Sequence, residues 1–187
     1  IGLKDVGVKS ENGSISINNH CQTNISNIYA IGDVAGPPWL AHKASAQGHL
    51  VADLICGKRV HEIDYLNVPN CTYCQPQVAS LGLTESKAKD LGHNIKVGKF
   101  FFRASGKAMA VGNTFGFVKL IFDDRYGELI GAHIIGDGAT EMIAELNLAK
   151  ALESTWEDLA MTMHAHPTLS EAVMEAAMDA FGSAIHQ

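Results

Sequence analysis

Residues 115–136 read FGFVKLIFDDRYGELIGAHIIG, and this stretch decides the fold class. Two apolar runs, Phe115–Phe122 and Glu128–Ile135, flank a polar segment that ends at Gly127. This pattern predicts a β-hairpin with glycine late in its loop. After Gly136 the apolar period becomes helical, and one face is formed by Ala139, Met142, Ile143, Leu146, Ala149 and Leu152.

Further strands and helices are predicted on both sides of the hairpin. Upstream, we expect strands near residues 70–75 and over Ile95–Phe102, with a helix over Thr84–Leu91 between them. Downstream, we expect a short helix over Thr155–Met163 and a last helix that buries Ala172, Val173, Ala176, Ala177 and Ala180. Because strands come before helices, the sequence predicts an α+β fold with helices packed on one side of an antiparallel sheet.

Residues 1–67 have a different pattern and predict a separate segment. Asn12-Gly13 marks a turn, Ile28–Ile31 is a short apolar run, and a helix is expected from about Leu40 to Cys56. One face of this helix is mostly small and predicts close packing against another element: Ala41, Ala44, Gly48, Ala52 and Ile55. The polar connector Lys58–Asn67 places a domain boundary near residue 67.

Composition excludes several classes of function. Among 187 residues, 47% are hydrophobic and 18% charged, which is ordinary for a soluble globular protein. The net charge of −6 and the lack of a Lys/Arg cluster argue against a nucleic-acid surface. No apolar run approaches the roughly 20 residues that span a bilayer, which argues against a membrane role. The chain starts without Met and without a signal-peptide pattern, so we expect a piece of a longer protein.

The four cysteines are too few and too scattered for a disulfide framework, which predicts a reducing compartment: Cys21, Cys56, Cys71 and Cys74. Cys71 and Cys74 have the spacing of a redox or zinc pair. Zinc would need a second pair, and a thioredoxin-like pair opens a helix rather than a strand bounded by Pro69 and Pro76. We favour two ordinary cysteines and predict no metal site.

The stretch HAHPTLSE, residues 164–171, supports two interpretations. In the first it is only a helix start, because Pro167 excludes His166 from the helical region and Thr168 and Glu171 have the spacing of a capping box. In the second, Glu171 pairs with His166, fixes its tautomer and prepares it to take a proton from a thiol. A His-x-His metal pair is disfavoured, since an extended segment points the two rings apart.

The same octapeptide resembles the carboxy-terminal signature of dihydrolipoamide dehydrogenases, a group within the pyridine nucleotide-disulfide oxidoreductases. The resemblance implies that His166 is the catalytic acid/base and that Glu171 is its partner. His164 occupies the family's other histidine position.

Residues 28–36, IYAIGDVAG, and the following LAHKA at residues 40–44 resemble the family's second FAD motif. An Asp just beyond a strand end lies where α/β sheets bind ligands, and a helix N-terminus favours negative charge. The resemblance implies that Asp33 binds the ribityl chain of the flavin. It also implies that the flavin pyrimidine edge meets, largely through backbone groups, Trp39, Leu40, Ala41 and His42.

Val68–Glu85 and Gly131–Ile143 resemble the family's interface domain. The resemblance implies that residues 68–187 are this dimerisation domain and that residues 1–67 are the carboxy-terminal segment of the FAD-binding and central region. One departure affects the subfamily: the family's Tyr-Thr-x-Pro-Glu pattern is here YCQPQ, residues 73–77. The chain also has no G-x-G-x-x-G, the turn that binds the phosphates of FAD and NAD. The redox disulfide that the resemblance implies, two cysteines four residues apart, is absent as well.

These features predict part of a flavoprotein. The resemblance implies that the intact enzyme oxidises protein-bound dihydrolipoamide through FAD, with NAD as acceptor. It implies a homodimer in which this histidine reaches the other subunit's disulfide, and a lipoyl-bearing partner from a 2-oxoacid dehydrogenase or glycine-cleavage complex, in the cytoplasm or mitochondrial matrix. Alone, the chain is expected to be inactive and to bind FAD weakly. Alternatives are a dimerisation module without activity and a reductase resembling glutathione or mercuric reductase.

Overall fold

The computed structural model describes residues 2–186, and the chain divides into two compact units between Tyr65 and Leu66. The first unit contains a small hairpin, β1 (Ser10–Glu11) and β2 (Ser14–Ile15), which confirms the turn predicted at Asn12-Gly13. A 3-10 turn (Gly32–Ala35) and helix α1 (Ala41–Ile55) follow. A small apolar core stabilises this unit, with Val8, Ile15 and Ala30 at its centre.

The predicted small-residue face of α1 is not its buried face. Ala41, Ala52 and Ile55 are exposed. The side chains buried along α1 are those of Lys43, Gln47 and Leu50, at spacings of four and three residues. Sequence reasoning missed this face because two of its three members are polar, and polar side chains are buried only where they have partners.

The second unit is built on a five-stranded antiparallel sheet with the order β3-β4-β7-β6-β5. Its strands are β3 (Asn70–Thr72), β4 (Gln77–Gly82), β5 (Ile95–Phe101), β6 (Gly116–Asp123) and β7 (Leu129–Gly136). Its helices are α2 (Glu85–Asp90), α3 (Gly106–Val111), α4 (Ala139–Ala151), α5 (Trp156–Met161) and α6 (Glu171–Asp179). The predicted hairpin of β6 and β7 is present and includes the central strand β7, and the predicted α+β fold is confirmed.

The main core lies between the sheet and the last three helices. Helix α4 packs on β4 and β7, α6 packs on β5 and β6, and α5 packs against α6. Side chains of alternate strand residues, such as Leu120, point into this core, whereas Ile121 joins a smaller cluster with Ala88 of α2. The backbone of α6 approaches β5 so closely that a β-carbon at Gly98 would overlap the carbonyl oxygen of Ala176. Glycine at residue 98 therefore allows α6 to pack this close to the sheet.

Two predictions about these elements need correction, and one strand and one helix were missed. Leu152 caps the end of α4 and is exposed rather than part of its buried face. The strand expected near residues 70–75 is shorter, because β3 ends at Thr72 and a turn that contains Cys74 follows; β4, which begins at Gln77, was not predicted. Helix α3 was not predicted, because its six residues are too few to show an apolar period.

Candidate active site

His166 lies in the extended segment that joins α5 to α6. Its side chain is 78% exposed, and its Nδ1 lies 2.8 Å from Oε1 of Glu171. Glu171 is the first residue of α6, so the helix holds the carboxylate while the segment presents the ring. The two residues that the sequence paired are therefore brought together by the fold.

The carboxylate of Glu171 has a second partner. Its Oε2 accepts a hydrogen bond of 2.8 Å from the backbone N–H of Thr168. Burial opposes ionisation of Glu171, but the Thr168 N–H and the His166 ring outweigh it and lower the pKa of this carboxyl below its ordinary value of 4.5. Glu171 is therefore an ionised, acceptor-only group at neutral pH.

The capping-box interpretation of this segment is only half correct. Helix α6 is preceded by Ser170, which makes no side-chain cap, and the hydroxyl of Thr168 donates to the carbonyl of Ala165. Glu171 reaches back to the Thr168 N–H, as a capping box requires, but it also binds His166. The same carboxylate thus serves the helix start and the histidine.

The position of the proton on His166 follows from its partner. Because an ionised carboxylate can only accept, Nδ1 of His166 must carry the hydrogen in this contact. In the neutral ring Nε2 then carries the lone pair and can accept a proton from a reacting group. An acceptor that fixes the hydrogen on one nitrogen and an exposed lone pair on the other are what a general base needs.

A cavity of about 300 Å³ lies beside this pair. His166 and Glu171 line it together with a second pair, Glu175 and His186. Glu175 is 3% exposed, and its carboxylate accepts from the ring and the backbone N–H of His186 and from the backbone N–H of Ile185. Sequence reasoning missed this pair, because Glu175 lies on the otherwise apolar face of α6. The rest of the lining is mainly apolar and includes Phe100, Met109 and Met174.

His164 also has a carboxylate partner that the sequence did not reveal. Its ring is almost buried, and its Nε2 lies 2.7 Å from Oε1 of Glu145 on α4. The partners are 19 residues apart and come from different elements. No local spacing could have identified them.

The predicted flavin-binding residues lie in the first unit, where Asp33 occupies the 3-10 turn before α1 with its side chain exposed. Lys43 is 1% exposed, and its Nζ donates to the carbonyl oxygens of Gly32 (3.0 Å) and Gly36 (2.7 Å). The side-chain oxygen of Gln47 accepts from the Gly32 N–H at 2.8 Å. Two buried polar side chains of α1 therefore fix the turn that carries Asp33.

The segment before α1 presents both apolar surface and backbone donors. Trp39 is 68% exposed, and Leu40 stands at the helix N-cap without a side chain that can cap the first turn. Ala41 and His42 open the helix, and its first turn holds no acidic residue. This donor set fits the edge of an electron-rich ring better than a cation.

The cysteines do not form a redox or metal centre in the part of the chain that the structure describes. All four are free thiols, and burial raises the pKa of Cys71, with a further contribution from Glu141. Cys71 lies in β3, whereas Cys74 is exposed in the turn after it. Over residues 2–186 no group of three potential ligands is placed to hold a metal ion, and no helix is long and apolar enough to cross a bilayer.

Comparison with known proteins identifies the family. The family model for the dimerisation domain of pyridine nucleotide-disulphide oxidoreductases matches residues 68–177, and a second model, for pyridine nucleotide-disulphide oxidoreductase, matches residues 1–48. The chain belongs to the pyridine nucleotide-disulphide oxidoreductase family. The resemblance found in the octapeptide at residues 164–171 and in the motif at residues 28–44 is thereby confirmed at the level of the family.

Individual relatives within this family are similar over the whole chain. A dihydrolipoyl dehydrogenase of Rhizobium etli is 50% identical over 100% of this chain and 39% of its own length. One of Zymomonas mobilis is 49% identical over 100% of this chain and 40% of its own length. The chain thus spans about two fifths of the length of the curated relatives it matches.

Two solved structures have the same fold as this chain. The crystal structure of LpdA from Mycobacterium tuberculosis matches with a TM-score of 0.88 and 26% identity over 94% of this chain and 39% of that chain. The HOCl-induced flavoprotein disulfide reductase RclA from Escherichia coli has a TM-score of 0.87 at 24% identity, covering 95% of this chain and 41% of that one. The second likeness is one of fold alone.

Proposed function

We propose that this chain is the carboxy-terminal part of a dihydrolipoyl dehydrogenase and supplies its acid/base histidine. The observation that carries the proposal is the contact between His166 Nδ1 and Glu171, which leaves Nε2 exposed as a proton acceptor. The names of relatives about 50% identical over the whole chain support the same activity. The substrate is protein-bound dihydrolipoamide, and the acceptor is NAD.

In the proposed reaction, Nε2 of His166 takes a proton from one thiol of the dithiol, which breaks the S–H bond and leaves a thiolate. The thiolate attacks one sulfur of a disulfide that the rest of the enzyme supplies, since only thiolates are competent nucleophiles in this exchange. A mixed disulfide forms as the enzyme's S–S bond breaks, and the other enzyme sulfur leaves as a thiolate. Glu171 stabilises the imidazolium that forms and keeps the ring oriented. Bound FAD and NAD supply the electron-carrier chemistry that follows.

We further propose that the first unit holds part of the FAD. Asp33 would accept hydrogen bonds from ribityl hydroxyls, and the turn that carries it is held by Lys43 and Gln47, which supports this assignment. The uncapped start of α1, with the flanking aromatic side chain, would meet the flavin ring through Trp39, Leu40, Ala41 and His42. NAD and the remainder of FAD are assigned to segments outside residues 1–187.

These assignments give each of the two parts of the chain its own proposed role. Residues 1–67 belong to the FAD-binding and central region, and residues 68–187 form the interface domain of a homodimer. His166 acts on the disulfide and flavin of the other subunit, and a lipoyl-bearing protein of a 2-oxoacid dehydrogenase or glycine-cleavage complex brings the substrate. The chain alone is expected to bind FAD weakly and to show no turnover.

The proposal can be tested in a chimera in which residues 1–187 replace the matching part of the Rhizobium etli relative. We expect bound flavin, dimers, and NAD reduction by dihydrolipoamide. His166→Gln should keep the flavin absorbance and slow the reduction of the disulfide by dihydrolipoamide by roughly 100-fold or more, which is the range typical for loss of a general base. Glutathione should not replace dihydrolipoamide as reductant.

Each result has a distinct meaning. Normal dithiol kinetics in the His166→Gln chimera would remove this residue from the base role. A folded, dimeric and flavin-bound chimera without turnover would instead favour the alternative in which residues 68–187 serve only for dimerisation. Tight FAD binding and turnover by residues 1–187 alone would contradict the proposed division of labour.

A further inference from the structure

The two histidines of the stretch HAHPTLSE have opposite environments. The side chain of His164 is 6% exposed, whereas that of His166 is 78% exposed. Nδ1 of His164 lies 2.9 Å from the backbone carbonyl oxygen of Thr162, and Nε2 lies 2.7 Å from Oε1 of Glu145. Both ring nitrogens of His164 are therefore engaged, while His166 has one partner and one exposed nitrogen.

The number of protons on His164 follows from these two contacts. A carbonyl oxygen only accepts, so Nδ1 of His164 must carry a hydrogen. At 2.7 Å, a bare lone pair on Nε2 would face the lone pairs of the Glu145 carboxylate, and that contact would be repulsive. A proton must lie between them. The His164–Glu145 pair thus holds one more proton than a neutral imidazole and an ionised carboxylate would hold together.

We propose that His164 and Glu145 form a proton-holding pair that positions the segment carrying His166. In this pair the ring of His164 donates from both nitrogens, from Nδ1 to the segment's own backbone and from Nε2 to Glu145 on α4. His164 is a positioning residue. The catalytic consequence rests on the proposed function of His166, but the protonation of His164 does not.

The charged groups around His164 support this assignment. Glu145 faces it from α4, and Glu171 on α6 is near enough that the charge of His164 adds to the favourable ionisation of that carboxyl. His166 lies two residues along the same segment. An imidazolium at residue 164 therefore helps to keep Glu171 ionised, and ionised Glu171 keeps the hydrogen of His166 on Nδ1.

Two other roles fit the geometry less well. A second general base would need an accessible lone pair, and neither nitrogen of His164 offers one. A metal ligand would need further ligands, and none are grouped for that purpose among residues 2–186. A fixed cation between two elements is the role that uses both hydrogen bonds.

The test is the protonation state of each ring in the chain labelled with 15N-histidine, from about pH 6 to pH 8, the window in which free imidazole loses its charge. Long-range 1H–15N spectra separate an imidazolium from the two neutral tautomers. We expect hydrogen on both ring nitrogens of His164, and hydrogen on Nδ1 of His166 wherever its ring is neutral. A His164 ring that is neutral across this window would overturn the proposal.

Substitution of the partner sharpens the test. Glu145→Gln removes the charge that holds the proton, so His164 should become neutral in the same spectra. Glu157→Gln, at an exposed position on α5, is the matched control and should leave the His164 signals unchanged. If His164 remained an imidazolium in Glu145→Gln, Glu145 would not be the group that holds the proton, and the pair as proposed would be wrong.

The catalytic consequence is measured in the chimera defined above. Glu145→Gln should slow the dithiol half-reaction roughly tenfold and change its pH profile, since a charge-assisted contact that orders the base is lost. KM for NAD should be unchanged. An unaltered rate and pH profile would refute the positioning role. Failure of the proposed function can be distinguished from failure of this proposal. It would appear as normal dithiol kinetics in the His166→Gln chimera, whatever protonation state the spectra show for His164.

Discussion

Replacing Glu171 by Gln changes the charge at residue 171 but keeps its shape. The carboxylate now accepts from two donors, the Thr168 N–H and Nδ1–H of His166, each at 2.8 Å. A glutamine side chain has one acceptor and one donor end. Since the backbone N–H cannot change its role, the amide oxygen should stay with Thr168 and the NH₂ group should face His166. Nδ1 must then accept, and the ring hydrogen moves to Nε2.

The size of this effect follows from the contact that is lost. A hydrogen bond to a charged group is worth about 1.5–3 kcal/mol. Because His166 is 78% exposed, water weakens its pairing and the lower end applies. About 1.5 kcal/mol corresponds to roughly a tenfold fall in the fraction of His166 in the base-competent tautomer. The dithiol half-reaction should slow by about the same factor.

Two assays check this expectation. Stopped-flow reduction of the chimera by dihydrolipoamide measures the half-reaction, and 1H–15N spectra of the chain report which nitrogen of His166 carries hydrogen. Glu157→Gln is again the control. An unchanged tautomer in Glu171→Gln, or a rate equal to that of the control, would refute the argument that Glu171 sets the proton on His166.

Three further predictions concern stability and are measured by thermal or denaturant unfolding of the chain. Gly98→Ala should lower the free energy of unfolding by roughly 3 kcal/mol, because the new methyl overlaps the Ala176 carbonyl, whereas Gly106→Ala meets nothing within 4 Å and should be nearly neutral. Burial lowers the pKa of His133 below its ordinary 6.5, so the folded state favours the neutral ring. The stability that the neutral ring contributes is present above pH 6.5 and is lost on acidification. His133→Gln should therefore reduce the fall in Tm as the pH is lowered. Lys43→Met leaves two buried carbonyls without a donor and should cost about 3 kcal/mol, with weaker flavin binding in the chimera. Equal stability of the two alanine variants, an unchanged pH slope, or a wild-type Tm for Lys43→Met would contradict the respective arguments.

Elements with strong local patterns could be predicted from the sequence. The β6–β7 hairpin and the apolar faces of α4 and α6 depend on alternation, turn chemistry and helical period within one segment. Strand β4 could not be predicted in this way. Its residues, QVASLG, have weak strand propensity, and its place in the sheet depends on pairing with the distant strand β7, from Gln77 opposite Gly136 to Gly82 opposite Gly131.

The same distinction between local and long-range contacts applies to the candidate site. His166 and Glu171 are five residues apart around a helix start, so a sequence pattern could pair them, although it could not show that Glu171 also binds the Thr168 N–H. Glu145 and His164 belong to different elements, and only packing of the segment against α4 brings them together. The sequence by itself determined the pairing of His166 with Glu171, because that contact is local. The tertiary structure decided that His164 is nearly buried with both ring nitrogens engaged while His166 stays exposed, because this difference depends on burial and on partners distant along the chain.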